Sequence, residues 1–198
     1  MTTTESLRET RMREMLAVAQ ARVGGNIDWR EWKKGQAARF VDLALKAPRL
    51  HLHSLDLSGD VEMVYEIAMP APRWPTVEGL VLANRAVFHL VYQEGWRWES
   101  PAGWMPMGIL EPFDIFHPNC RPSPGLRGAI CLGNLPPGTQ LTELVLLGYY
   151  AISNQLCGVD ETSPQGILNP FACEYYRDHP EYRPLTRAGL LDPWEGGN

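Results

Sequence analysis

Lysine is nearly missing from this 198-residue chain: Lys33, Lys34 and Lys46 all lie in the first quarter, and arginine supplies the positive charge elsewhere. An arginine-favouring, GC-rich coding sequence accounts for such a bias. A chain that carries an amine-reactive group would also gain from having few amines around it. Long apolar runs are missing too, since none approaches the ~20 residues that span a bilayer, and no membrane partner is expected. The opening Met1-Thr-Thr-Thr-Glu-Ser lacks the basic-then-apolar layout of a signal peptide, so a cytoplasmic protein is expected. Cysteine is limited to positions 120, 131, 157 and 173, which reads as thiols in a reducing compartment and not as a disulfide framework. Excess positive charge is also absent. The net charge is −5, and it is unevenly split: residues 1–48 carry nine Lys/Arg against six Asp/Glu, residues 49–198 nine against seventeen. Nucleic acid is therefore not expected as a partner of the main body.

What is present suits one folded domain. Hydrophobic residues make up 44% and charged residues 21%, and a chain this long buries roughly 70% of its unfolded surface. Residues 5–22 place Leu7, Met12, Met15, Leu16 and Ala19 near helical spacing until Gly24-Gly25. Asp28 followed by Glu31 reads as the N-terminal box of a second helix over 29–47, with Trp29, Trp32, Phe40, Leu43, Ala44 and Ala47 on one face. Leu50 to Leu57 and Val61 to Ile67 alternate around Ser58-Gly59-Asp60, giving two antiparallel strands. Met69–Pro75 reads as a proline-rich break. A third strand, buried on both faces, covers Ala86–Tyr92, and a fourth covers Met107–Leu110. Trp96, Trp98 and Trp104 between them read as a lid on the core, with a recognition patch as the alternative. Thr139 is expected to cap a core helix carrying Leu141, Leu144, Val145, Gly148, Tyr149, Ile152 and Leu156. Asn169-Pro170 opens a last helix through Tyr176. Cys157 and Cys173 read as core residues on helical faces. The class is α+β, with an antiparallel meander between helices.

The stretch Phe116–Leu135 organises the rest. Pro118, Pro122 and Pro124 remove backbone donors, and Gly125, Gly128 and Gly133 tolerate positive φ, so neither a helix nor a central strand fits. Cys131 then sits on irregular backbone, where reactive groups concentrate.

The order His117-Pro118-Asn119, a short loop, Gly128-Ala129-Ile130-Cys131-Leu132, a polar turn and a long apolar helix resembles the ubiquitin-conjugating enzymes. Their signature is a His-Pro-Asn tripeptide followed by a Gly-x-Ile-Cys-Leu-like segment. About two-thirds of the chain follows the family's order of elements. The resemblance implies a ubiquitin-conjugating fold with an N-terminal helix, a four-stranded antiparallel meander, an active-site loop and C-terminal helices. Residues 27–198 would form that domain, and residues 1–26 an added helical element for packing or oligomerisation. It implies that Cys131 carries a ubiquitin-like modifier as a thioester, received from an adenylating activating enzyme and passed to an amine of a target protein. Asn119 takes the oxyanion or loop-holding role, His117 organises the loop, and Asp160, within Asp160-Glu161-Thr162-Ser163, takes the place of an acidic or serine gate. The helix over 29–47, with Arg30, Lys33, Lys34 and Arg39 on or near its polar side, is the implied docking site for the activating enzyme. Neither a metal nor a cofactor is implied. A bacterial source follows from the arginine-rich composition and the divergence from the eukaryotic pattern, and antiviral defence from the resemblance alone. Two departures stand out. The loop between Asn119 and Cys131 is a few residues longer than usual, and the tryptophan that often follows the active cysteine is absent.

Other readings of the same residues stay open. His117, Cys120 and Cys131 could ligate zinc, although a C-x₂₋₄-C pair is missing. Cys131 could pair with His51, His53 or His89 in a hydrolase, because such partners need only be close in space. A non-catalytic adaptor of the same fold is the third reading.

Overall fold

The computed structural model describes residues 3–101, 103–121, 128–159 and 167–193. Among them the architecture is α+β: four α-helices and a five-stranded antiparallel sheet whose strands follow chain order. Two helices come first, α1 (Thr3–Ala21) and α2 (Ile27–Lys46). The meander follows as β1 (Leu50–Asp56), β2 (Val61–Thr76), β3 (Gly79–Tyr92), β4 (Met107–Glu111) and β5 (Gly128–Ala129). The helices α3 (Leu141–Ile152) and α4 (Pro170–Asp178) close the chain. No helix among the described residues is long and apolar enough to cross a membrane.

Cross-strand pairing of large apolar residues builds the core. Tyr65 of β2 lies opposite Phe88 of β3, their rings stacked at 5.1 Å, and Phe88 lies opposite Ile109 of β4. Phe40 of α2 packs on Tyr65 at 5.7 Å. On α3, a Cβ at Gly148 would lie 2.8 Å from the Met107 sulfur, so the Met107 side chain would have to shift to admit one. Residues 86–90 are all buried, the two-sided burial expected of that strand. The tryptophans divide. Trp96 and Trp104 pack together at 4.6 Å over Tyr92, as a lid would, whereas Trp98 is exposed with the Arg97 guanidinium 4.7 Å from its ring.

Several expectations need correction. Met69–Pro75 is not a break: β2 continues to Thr76, pairing Ala71 with Ala83, Pro72 with Leu82 and Arg73 with Val81. Proline forbids a donor but not a strand, and the Pro72 carbonyl is used, accepting the Phe116 N–H at 2.9 Å. The sheet has a fifth strand, β5, too short for alternation to reveal. The cap of α2 is Asn26, which accepts the Trp29 N–H at 2.9 Å, and not Asp28. The cap of α3 is Gln140, in a reciprocal box with Glu143, while the Thr139 hydroxyl donates to the Pro136 carbonyl. Leu7 is exposed, so the apolar face of α1 begins a turn later, at Met12. Lys33 is fully buried, its ammonium donating to the carbonyls of Leu57 and Gly59. It lies four residues after Trp29, on the inner stripe of α2, and braces the β1–β2 turn.

Charged side chains also tie helices to neighbouring backbone. Arg8 of α1 donates to the carbonyls of Ala44, Ala47 and Leu50, tying α1 to the junction between α2 and β1. Buried Arg49 binds the Tyr149 hydroxyl and the carbonyls of Asp192 and Pro193, holding the end of the described chain against α3. Met12 and Ala19 of α1 belong to the same core cluster as the sheet.

Two glycines give a paired test of this packing. A Cβ at Gly24 would lie 2.0 Å from the Ser58 carbonyl oxygen, whereas one at Gly35, exposed in mid-α2, meets nothing within 4 Å. Gly24→Ala is expected to lower the urea-unfolding free energy by about 1–3 kcal/mol. Gly35→Ala should raise it by about 0.5–1 kcal/mol.

Candidate active site around Cys131

The approach to the site is fixed from β2. Arg73 grips Asp114 with a forked ion pair at 2.8–3.0 Å, Trp74 N–H donates to the Asp114 carbonyl, and Trp74 packs on Phe116 at 4.7 Å. The chain then turns at His117-Pro118-Asn119-Cys120, closed by the Cys120 N–H on the His117 carbonyl at 3.1 Å. Proline at the second position pre-sets the φ such a turn needs. Two loop N–H groups ahead of α4, those of Leu168 and Asn169, both donate to the Pro118 carbonyl, at 2.8 and 3.0 Å. Asn169 also caps α4, accepting the Ala172 N–H, with Pro170 in the first turn as its sequence implies. From α4, the Tyr176 hydroxyl donates to the Phe116 carbonyl at 3.1 Å.

His117 is fully buried within this knot. Its Nδ1 accepts the Asn119 N–H at 3.1 Å, which assigns the proton of the neutral ring to Nε2. Burial pushes His117 down to about 4. The Ala151 carbonyl and the Asn154 side chain favour its charged form but do not offset the loss of water.

The turn presents Asn119 to Cys131. The Cys131 N–H donates to the Asn119 carbonyl at 2.8 Å, continuing a ladder in which Cys120 bridges Ile130 and the Arg121 N–H donates to Ala129. Both residues line one cleft of about 170 Å³, with Leu132, Gly133, Leu147, Ala151 and Leu156 as the remaining wall. Gly133, at φ +78°, swings the chain away after Leu132, a conformation other residues adopt poorly. Leu156 is not on the core face of α3 as its spacing suggests. The helix ends at Ile152, Asn154 takes φ +57°, and Leu156 emerges into the cleft.

The four thiols are sorted by environment. Cys131 is partly exposed. Cys120 is fully buried, and burial drives its thiol far above the usual range. Cys173 is buried in α4, as expected. Cys157 is not on a helix: it follows α3, is partly exposed, and burial of its thiol pushes it up to about 12. His51 and His53 stand on β1, at the opposite edge of the sheet from β5, and His89 on β3 lies near Glu62; none lines the Cys131 cleft. All three lysines belong to α2, and none reaches the cleft either. Asp160 lies outside the described residues. Among those that are described, no three His, Cys, Asp or Glu side chains converge on one point.

No family model, curated protein or solved structure matches this chain.

The depressed His117 makes the knot sensitive to acid. Unfolded, the ring titrates near 6.5; folded, near 4. Between those values the unfolded chain binds the extra proton. Stability is therefore complete above pH 6.5 and is lost as pH falls towards 4, by about 3 kcal/mol from this group. Urea midpoints measured across this window should show that slope in the wild type and a shallower one in His117→Gln. The imidazole resonances of the folded wild type should stay those of a neutral ring down to about pH 4.

Proposed function

We propose that the chain is a ubiquitin-conjugating-like enzyme, with Cys131 carrying a small ubiquitin-like protein as a thioester. The observation that carries this reading is the pairing of Asn119 and Cys131 across one cleft, through the 2.8 Å bond from the Cys131 N–H to the Asn119 carbonyl. Eleven residues separate the two in sequence, yet the ladder brings them together. The antiparallel meander between helices, with the partly exposed thiol just past its last strand, supports the finer assignment to a ubiquitin-conjugating fold.

In this reading the Cys131 sulfur attacks the thioester carbonyl of a modifier held by an adenylating activating enzyme, and the activating enzyme's thiol leaves. Activation energy is conserved from one thioester to the next, so Cys131 needs no strong base beside it. A target amine then attacks the carbonyl, the oxyanion is met by the Asn119 amide, and the Cys131 thiolate departs as the amide bond forms. His117, buried and accepting from the Asn119 backbone, holds the turn. Leu156, Leu147 and Leu132 give the cleft an apolar wall that limits water at the thioester. A bacterial, cytoplasmic setting and a part in antiviral defence belong to the same proposal and rest on the resemblance.

The sheet argues for a carrier over a hydrolase. With His51, His53, His89 and His179 outside the cleft and His117 buried with its Nδ1 engaged, no imidazole among the described residues is available to Cys131 as a base.

With modifier, activating enzyme and ATP, the wild type should form a reductant-labile adduct. Cys131→Ser should give a reductant-resistant oxyester or nothing, and Cys120→Ser should leave the adduct intact. Asn119→Ala is expected to load nearly normally but discharge to amines more slowly, by up to the 10²–10³-fold that losing one oxyanion donor costs. Equal loss of loading and discharge would reduce Asn119 to a loop-holding role. An adduct that survives Cys131→Ala, or rapid hydrolysis of small esters by the wild type, would contradict the proposal.

Docking of the activating enzyme falls to the exposed side of α2. Arg30 and Arg39 are exposed, and Lys34 is partly exposed and paired with Glu31 at 2.9 Å, whereas Lys33 is withdrawn into the core. Reversing Arg30 and Lys34 to Glu should slow loading, most visibly at low salt, because complementary charge acts mainly on encounter. Loading kinetics unchanged across salt would move the docking site elsewhere.

A further inference from the structure

A larger cavity lies behind the Cys131 cleft, on the other side of the segment that follows α3. Ala151 and Leu156 face the thiol, while Asn154, Gln155 and Cys157 turn to a space of about 520 Å³. Its far wall is the chain after α4, which contributes Arg183 and Arg187. The two walls are cross-linked. The Asn154 amide donates to the Tyr182 carbonyl at 2.9 Å, the Gln155 amide donates to the Ala188 carbonyl at 3.2 Å, and the Leu185 N–H donates to the Ser153 carbonyl at 2.9 Å. The space is therefore set by backbone that is already tied, as in preformed ligand sites, and its volume falls in the range of small-molecule pockets.

Its charge is one-sided. Arg183 and Arg187 line it, and among the described residues no Asp or Glu does. Arg183 Nε is buried without a hydrogen-bond partner, and among the described residues the Arg187 guanidinium has no ion pair or hydrogen bond. A buried guanidinium N–H left open costs free energy until an acceptor arrives. Guanidinium forks match the planar or tetrahedral oxygens of carboxylates and phosphates.

We propose that this cavity is a binding site for a small molecule bearing an oxyanion, a phosphate or a carboxylate, held by Arg183 and Arg187 and distinct from the Cys131 cleft. The site does not depend on thioester chemistry, and its test leaves Cys131 out. Inorganic pyrophosphate and citrate, titrated by calorimetry into the full chain at ~0.15 M ionic strength, should reveal saturable one-site binding of at least one of them. Pyrophosphate as the tighter ligand would assign a phosphate, citrate a carboxylate. Arg183→Gln and Arg187→Gln should each weaken binding about tenfold or more, the loss expected of one charge-assisted contact. Arg183→Lys, which keeps the charge and loses the fork, should fall between. Cys131→Ser should bind as the wild type does, and so should Arg85→Gln, which removes a charge from the sheet surface. In the Cys131→Ser chain, the bound anion should also slow alkylation of Cys157. No saturable binding of either anion would overturn the proposal, as would equal weakening by Arg85→Gln. Failure here would leave the thioester reading untouched, because every arm is read without the modifier.

Discussion

The site depends on the saturation of one short run of backbone. Four successive carbonyls, Phe116 to Asn119, each accept a hydrogen bond, from the Tyr176 hydroxyl, the Cys120 N–H, the Leu168 and Asn169 N–H groups, and the Cys131 N–H. The Phe116 N–H is spent on Pro72 and the Asn119 N–H on His117. Partners come from β2, from the loop ahead of α4, from α4 itself and from the thiol segment, so a turn with no regular structure is held from four directions. Unpaired backbone groups in so buried a place would each cost free energy comparable to a lost hydrogen bond, which makes this arrangement hard to reach in any other register.

That constraint links fold to chemistry. The extension of β2 past its prolines supplies Pro72 and Arg73, which fix residues 114–116. The α4 cap supplies the clamp on Pro118. The cleft is then completed by α3 and by the left-handed turn at Asn154, which sends Leu156 outward and Gln155 and Cys157 to the opposite side. A single segment thereby separates a thiol cleft with apolar walls from an arginine-lined cavity. The sorting of the thiols follows from the same geometry: the turn that buries Cys120 leaves Cys131 at the mouth of the cleft.

Much of this was legible in the sequence where one physical rule acted alone. Alternation identified β1, the first half of β2 and the second half of β3, and Asn169-Pro170 identified the start of α4. The proline- and glycine-rich run marked Cys131 as lying on irregular backbone. Where two rules competed, the reading failed. Prolines at 70, 72 and 75 spoke against a strand, but an acceptor-only role was left to them. Asp28 with Glu31 fitted a capping box and drew attention from Asn26, the residue that caps α2, and Gln140 is a weaker capper than the Thr139 beside it. Lys33 carried a usable signal, since it falls on the same stripe as Trp29, Ala37, Phe40 and Ala44; its charge hid that, although two carbonyls of the β1–β2 turn were available to it. Burial of Arg49 and the convergence of Arg183 and Arg187 on one cavity arise only from tertiary contact, and no local pattern announces them.

The most direct test of the account is to locate the covalent bond. The chain would be incubated with the proposed ubiquitin-like modifier, its activating enzyme and ATP, trapped without reductant, digested and sequenced by mass spectrometry, so that any modified thiol is read residue by residue. The modifier's C-terminal carboxyl is expected on the sulfur of Cys131, with Cys120, Cys157 and Cys173 unmodified. A bond to any of those three, or none on a chain whose fold is intact, would contradict it.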